Sequence, residues 1–252
     1  MAQRLAGRYG YPKDEPFRPG TFHPDQLEKP LGWKKPRFIF VVSMGDLFHE
    51  AVSDGLTGLV FAMTIMAPQH TYLFLTKRPQ NMKEHLSTFW KDEPPPANVW
   101  LGVTAEDQQR ADERIPVLLS IPAAKHFVSV EPMLAEVDLD DYLPRILCSG
   151  CDKGMSPVGA VHEYWVGPPT DPPLLCGHAV EVPGLDWCIV GGETGPKARP
   201  MNPDWARSLR DQCQAAGVPF WFKKQSARHY IVADAHDLHL LDGETWEQRP
   251  CA

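Results

Sequence analysis

The chain has no cysteine before Cys148 and only six in 252 residues, a distribution that excludes a disulfide scaffold. It has no long hydrophobic run. The longest, over residues 56–67, is broken by glycine and threonine and is too short to cross a bilayer. The opening MAQRLAGRYGYPKDEP lacks the apolar core of a secretory signal. These absences predict a cytoplasmic protein without a membrane partner. Positive charge is also in short supply. The net charge of −7 argues against nucleic-acid binding through bulk electrostatics, while leaving room for a local basic groove. No HxH or HExxH pair, Walker loop or GxGxxG can be read anywhere in the chain.

Proline is plentiful. The 26 prolines gather at the N-terminus, at Pro94-Pro95-Pro96 and between Pro157 and Pro183, and they mark the loops. Hydrophobic content of 43% and charged content of 23% are those of an ordinary globular protein, and 252 residues can bury one sizeable core. Residues 1–36 show no clear periodicity. After them, short apolar runs alternate with helical patterns. Strands are predicted over residues 37–42 (RFIFVV), 71–75 (TYLFL), 98–103 (NVWLGV), 125–130 (KHFVSV), 187–190 (WCIV) and 219–222 (PFWF). Helices are predicted over residues 55–66 with Asp54 as cap, from Pro79 to about 90, over 106–119, and from Pro203 to about 216 with Asn202 as cap. The tail, residues 228–252, reads as a small hairpin turning at Asp242-Gly243.

This alternation predicts an α/β fold with a parallel sheet, whose right-handed crossovers put every strand's C-terminal end on the same side. Six strands are too few for a closed eight-fold barrel. A partial (β/α) barrel in a single domain, residues 1–252, fits best, with an open doubly wound sheet second.

The strand ends carry the candidate chemistry. They place Ser43, Asp46, His49, Thr76, Lys77, Arg78, Thr104, Glu106, Glu131, Gly191, Gly192, Glu193 and Lys223 where α/β folds bind ligands. The stretch LDWCIVGGETGPKARPM, residues 185–201, is the centre of this reading. Gly191 and Gly192 end a buried strand and leave space for a ligand, Glu193 follows, and Lys197 and Arg199 stand close behind. Carboxylates mixed with cations can bind a metal, hold a ribose or an amine, or trade protons, and the cations can neutralise a carboxylate or phosphate. A small-molecule or nucleoside-type ligand is the expectation.

SMGDLFHE, FLTKRP, LGVTAED, FVSVEPML, IVGGETGPKARPM, PFWFKKQ and LDGETW occur in that order. Together they resemble a phage-associated protein family of unknown exact activity that is similar to radical S-adenosylmethionine enzymes. The likeness spans about residues 25–250 apart from an insertion. It implies a partial (β/α) barrel with the site at the strands' C-terminal ends, and S-adenosylmethionine and a [4Fe–4S] cluster as cofactors. Such proteins open with a cysteine cluster of the form Cys-x4-Pro-Gly-Cys-x2-Cys-Tyr-Ala, whose thiolates would hold the cluster. Here that motif is missing, and MAQRLAGRYG resembles the helix that should follow it. The expectation is therefore an N-terminally truncated or degenerate relative that does not cleave S-adenosylmethionine reductively as given.

The insertion, residues 145–184, is either a loop or a zinc-binding appendage. Cys148 and Cys151 have Cys-x2-Cys spacing, and Cys176 and His178 follow a 24-residue proline- and glycine-rich stretch. Two ligand pairs converging from two turns suit tetrahedral zinc, although Cys-x-His is tighter than usual; His162 is a substitute ligand. Two other functions stay open. One is a metal-dependent hydrolase using Asp46, His49, Glu131 and Glu193. The other is a non-catalytic binding or accessory protein that keeps the strand ends as a ligand pocket.

Overall fold

The computed structural model describes residues 7, 13–14, 23–43, 45–90, 95–148, 156–157, 179–227 and 237–251. They divide into two compact units. The first comprises Met1–Val103, Ser120–Lys125 and Ala252, and the second Thr104–Leu119 and His126–Cys251.

In the first unit, a helical turn at Pro24–Leu27 and a 3-10 turn at Lys29–Gly32 lead into strand β1 (Phe38–Val41). Helix α1 (Asp54–Met66), strand β2 (Thr71–Thr76), helix α2 (Pro79–Trp90) and strand β3 (Val99–Thr104) follow. β1 pairs parallel to β2, and β2 parallel to β3. Leu73, Phe74, Trp100 and Leu101 on the strands and Phe48, Phe61, Met82 and Leu86 around them are all buried. Phe61 stacks on Phe74 with centroids 4.6 Å apart. α1 starts one residue earlier than its sequence suggests. Ser53, held in extended backbone, is the cap and accepts from Leu56 N–H. Asp54 instead sits in the first turn, where its charge faces the positive end of the helix dipole.

In the second unit come α3 (Gln108–Leu119), β4 (Lys125–Val130), β8 (Trp187–Gly191), α4 (Pro203–Ala215) and β9 (Phe220–Lys224). α3 begins after Asp107 rather than at Glu106, because the Asp107 carboxylate accepts from Arg110 N–H at 2.9 Å and so caps the helix. β4 pairs parallel to β8, and β8 parallel to β9. Between β4 and β8 lies a small antiparallel sheet of β5 (Arg145–Cys148), β6 (Ser156–Pro157) and β7 (Ala179–Val182), in the order β6-β5-β7. The insertion thus carries secondary structure of its own.

The tail turns at Asp242 and Gly243, whose φ values of 59° and 81° suit a two-residue hairpin between β10 (Leu240–Leu241) and β11 (Glu244–Thr245). It does more than turn. Phe222 N–H donates to Trp246 O, and Phe220 N–H to the Gln248 side chain, so the chain after the hairpin covers the outer edge of β9.

The parallel sheet has the order β1-β2-β3-β4-β8-β9. Strands are laid down in chain order with no reversal, as in a partial (β/α) barrel; a doubly wound sheet would reverse at a switch point. No helix among the described residues is long and apolar enough to cross a membrane.

α4 has the cap the sequence indicates: the Asn202 side chain accepts from Asp204 N–H at 3.0 Å. Replacing Asn202 by alanine should cost about 1 kcal/mol of stability. Urea unfolding monitored by circular dichroism reads this as a lower midpoint at unchanged slope.

Candidate ligand site at the strand ends

In the first unit the loop after β1 folds back around one carboxylate. Asp46 accepts from Phe48 N–H (3.0 Å), the Thr76 hydroxyl (2.8 Å), Lys77 N–H (3.2 Å) and Arg78 Nη1 (3.0 Å). Arg78 also grips Glu50 through Nε at 3.0 Å, and Asn81 donates to Phe48 O. Thr76 is buried and passes the chain on by accepting from Arg78 N–H. His49 Nδ1 accepts from Ala51 N–H, 3.5 Å from Glu50, and Ser43 is exposed in the turn after β1. Both Asp46 oxygens are thus occupied by the chain's own donors, which fits a post that fixes the loop better than a metal ligand.

The second unit holds three ion pairs at its strand ends. Glu131, just past β4, meets Lys223 of β9 at 2.9 Å. Glu193, just past β8, is gripped by Arg199 through Nε at 2.8 Å and through the backbone N–H at 3.0 Å. Glu106, just past β3, pairs with Arg114 of α3 at 2.9 Å, and Arg114 also donates to Thr104 O. Glu106 and Arg114 are largely buried, whereas Glu131 and Glu193 keep 22% and 32% of their side chains exposed. The hydrogen bonds from Arg199 hold the Glu193 carboxyl below its ordinary range. Arg199 is in turn made more basic, first by Glu193 and, at longer range, by Glu106.

The two glycines are explained by the chain itself. A Cβ on Gly191 would lie 3.2 Å from the Glu131 carboxyl group, so its absence clears the path of that side chain. A Cβ on Gly192 would meet Ser226 N at 2.3 Å, and Gly192 N–H already donates to Lys224 O. The space beside them therefore belongs to Glu131 and to residues 225–226, not to a ligand approaching the backbone.

Among the described residues, no group of three or more His, Cys, Asp or Glu is arranged to hold a metal ion. Cys188 and Cys213 are buried, and Cys251 is exposed. A hydrogen bond with Cys213, together with burial, raises the Cys188 thiol well above its usual range, the reverse of what a thiolate ligand needs. The described residues do not fit a [4Fe–4S] cluster. Cys148 ends β5 opposite Ala179, while Cys151, Cys176, His178 and His162 lie outside the described residues.

The order of strands and the polar strand ends are shared features of a whole chain, and one comparison covers that chain. A family model described as "Protein of unknown function (DUF5131)" matches residues 1–250. The chain belongs to that family. No curated protein and no solved structure matches it.

Several partners in this DUF5131 protein escape a reading of strand ends alone. Arg114 lies two turns into α3, and Glu50 and Asn81 stand beyond the residues that end their strands. The spacing does hold a signal for Arg114. It follows Glu106 by eight residues and lies in the second turn of the helix that begins at Gln108.

Gly192→Ala should destabilise the fold severely, because backbone atoms would have to move, by about 3 kcal/mol or more. Gly191→Ala needs only the Glu131 side chain to shift by a few tenths of an ångström, and should leave thermal stability nearly intact. Thermal melts of both variants check the order. In Glu193 the depressed carboxyl pKa means the Arg199 contact stabilises the fold above the carboxyl's unfolded pKa and fades as pH falls through the folded one. NMR titration of the Glu193 side-chain carboxyl should show its midpoint rise in Arg199→Met.

Proposed function

We propose that this DUF5131 protein is a radical-SAM-like, phage-associated protein whose second unit binds a nucleoside-type ligand, S-adenosylmethionine first among them, without cleaving it reductively. The observation that carries this reading is the pair of partly exposed ion pairs, Glu131–Lys223 and Glu193–Arg199, at the ends of neighbouring strands. An amino-carboxylate presents an ammonium and a carboxylate together. A site made of carboxylates and cations receives it by exchange: the ligand's ammonium replaces a cation at Glu131 or Glu193, and Lys223 or Arg199 turns to the ligand's carboxylate. Exposed pairs of this kind are worth only about 0–1 kcal/mol, so breaking them costs little.

The ordered motifs and the sequential parallel sheet support the likeness to radical S-adenosylmethionine enzymes. The chemistry of the cluster is another matter. With no cysteine before Cys148, residues 1–147 offer no thiolate to hold one, and this favours the second reading, a non-catalytic binding or accessory protein using the same strand ends.

Saturation-transfer NMR with S-adenosylmethionine separates binding from none. Binding should be weak, with a Kd of about 1 mM, or about 4 kcal/mol, because no cluster iron anchors the amino-carboxylate. Glu131→Gln and Glu193→Gln should each lower the signal while leaving the melting curve close to wild type. Absence of any transfer at about ten times that concentration would sink the nucleoside reading and leave the accessory role.

A further inference from the structure

Helix α1 of the first unit is built inside out. Its packed face carries Thr57 and Thr64, both with 0% exposure, beside Phe61. Its outer face carries Leu59, Ile65 and Met66, which are 52%, 62% and 61% exposed. After Asp54 the helix contains no charged residue at all. A helix apolar on every side is one that is covered on every side, and among the described residues of the first unit nothing covers this face.

We propose that the covering partner is a second copy of this chain, with the two α1 helices packed antiparallel about a two-fold axis. The sequence of the outer face is self-complementary under that operation. Gly55, Leu59, Ala62 and Met66 follow one another at helical spacing of four, three and four residues, and form a single stripe. A two-fold axis between Val60 and Phe61 sets Leu59 against the partner's Ala62, and Met66 against the partner's Gly55. Each large side chain meets a small one, so the helices interdigitate rather than collide.

The ends are complementary in charge as well. Asp54 precedes the stripe, with its carboxylate 90% exposed and 3.2 Å from His85 Nδ1. The other end of α1 is flanked by the turn Lys29–Gly32 and the segment after it, pinned there by Gln69 Nε2 donating to Trp33 O and by the contact of His70 Nε2 with Pro30 O. Lys29, Lys34, Lys35 and Arg37 stand in this stretch against one acid, Glu28, giving 4 − 1 = +3. Antiparallel packing brings each Asp54 to the partner's basic end and also opposes the two helix dipoles favourably. The helix that carries the stripe, 13 residues long, runs about 20 Å.

Gly55 supplies the decisive variant. A Cβ there meets nothing within 4 Å in the monomer, so a larger residue is tolerated by the fold and opposed only by a partner's Met66. Sedimentation velocity over roughly 1–100 µM should show a dimer for the wild type and a monomer for Gly55→Leu, with unchanged far-ultraviolet circular dichroism. Lys34→Glu with Lys35→Glu should weaken association at least ~10-fold, and adding Asp54→Lys should restore it. A wild type that stays monomeric throughout that range overturns the proposal. So does a dimer that survives Gly55→Leu, or one that ignores the charge reversal and its rescue.

Discussion

The missing side chain at Gly191 is the constraint on which the second unit's strand ends depend. β8 lies between β4 and β9, so an ion pair from Glu131 to Lys223 must pass over the middle strand. A Cβ at Gly191 would stand 3.2 Å from the Glu131 carboxyl and crowd that crossing. The register of β9 cooperates. Val190 pairs with Phe222, but Gly191 pairs with Lys224, so Lys223 is skipped by the ladder. A skipped residue in a strand is free to aim its side chain off the regular pleat, and here it aims at Glu131. Gly192 then lets the chain past β9 close in, with its N–H on Lys224 O and with Ala227 N–H on Glu193 O. Two adjacent glycines thus serve two different ends: one admits a side chain, the other a backbone.

In each unit the carboxylates near the strand ends differ in how firmly they are held. Asp46 is saturated by donors from four residues, and Glu106 is buried against Arg114; removing a partner from such a buried pair costs about 3–5 kcal/mol. Those two acids hold loops and helices in place. Glu131 and Glu193 have partners that are themselves mostly in water, Lys223 at 51% and Arg199 at 59% exposure. Their cations can leave at little cost, and this is what separates a site that exchanges ligands from a scaffold that merely carries charge.

Much of the fold could be read from the chain because apolar runs and helix caps are local. The strands around Phe74, Leu101, Val128 and Ile189, the proline at the start of α2, the Asn202 cap and the Asp242-Gly243 turn all announce themselves within a few residues. What could not be read depends on strangers in sequence. Gly191 looks like a residue making room for a ligand until Glu131, 60 positions earlier, is brought beside it. The one-residue shift of the α1 cap from Asp54 to Ser53 is of a smaller kind: both residues can cap, and only the extended backbone at Ser53 decides. The small sheet within residues 145–184 was hidden because prolines and glycines dominate its composition and mask the short pairing of β5 with β7.

Helix α1 shows how a pattern can mislead without being weak. Its apolar residues lie on every side of the helix, and threonine is ordinarily assigned to the wet side. Both threonines nonetheless go inward because a hydroxyl in a helix can satisfy itself on the turn before: Thr64 Oγ1 donates to Phe61 O at 2.8 Å, and Thr57 Oγ1 to Ser53 O at 3.4 Å. Once its hydrogen bond is made locally, a buried threonine packs as a small β-branched hydrophobe, and the cost of burying an unpaired polar group does not arise. Large aliphatic side chains are then released to the outer face, where water opposes them by about 25 cal/mol for each Å² left exposed. At 52%, 62% and 61% exposure, Leu59, Ile65 and Met66 are the most exposed of the large apolar side chains among the described residues, and a second copy of the chain packed on α1 would relieve that cost.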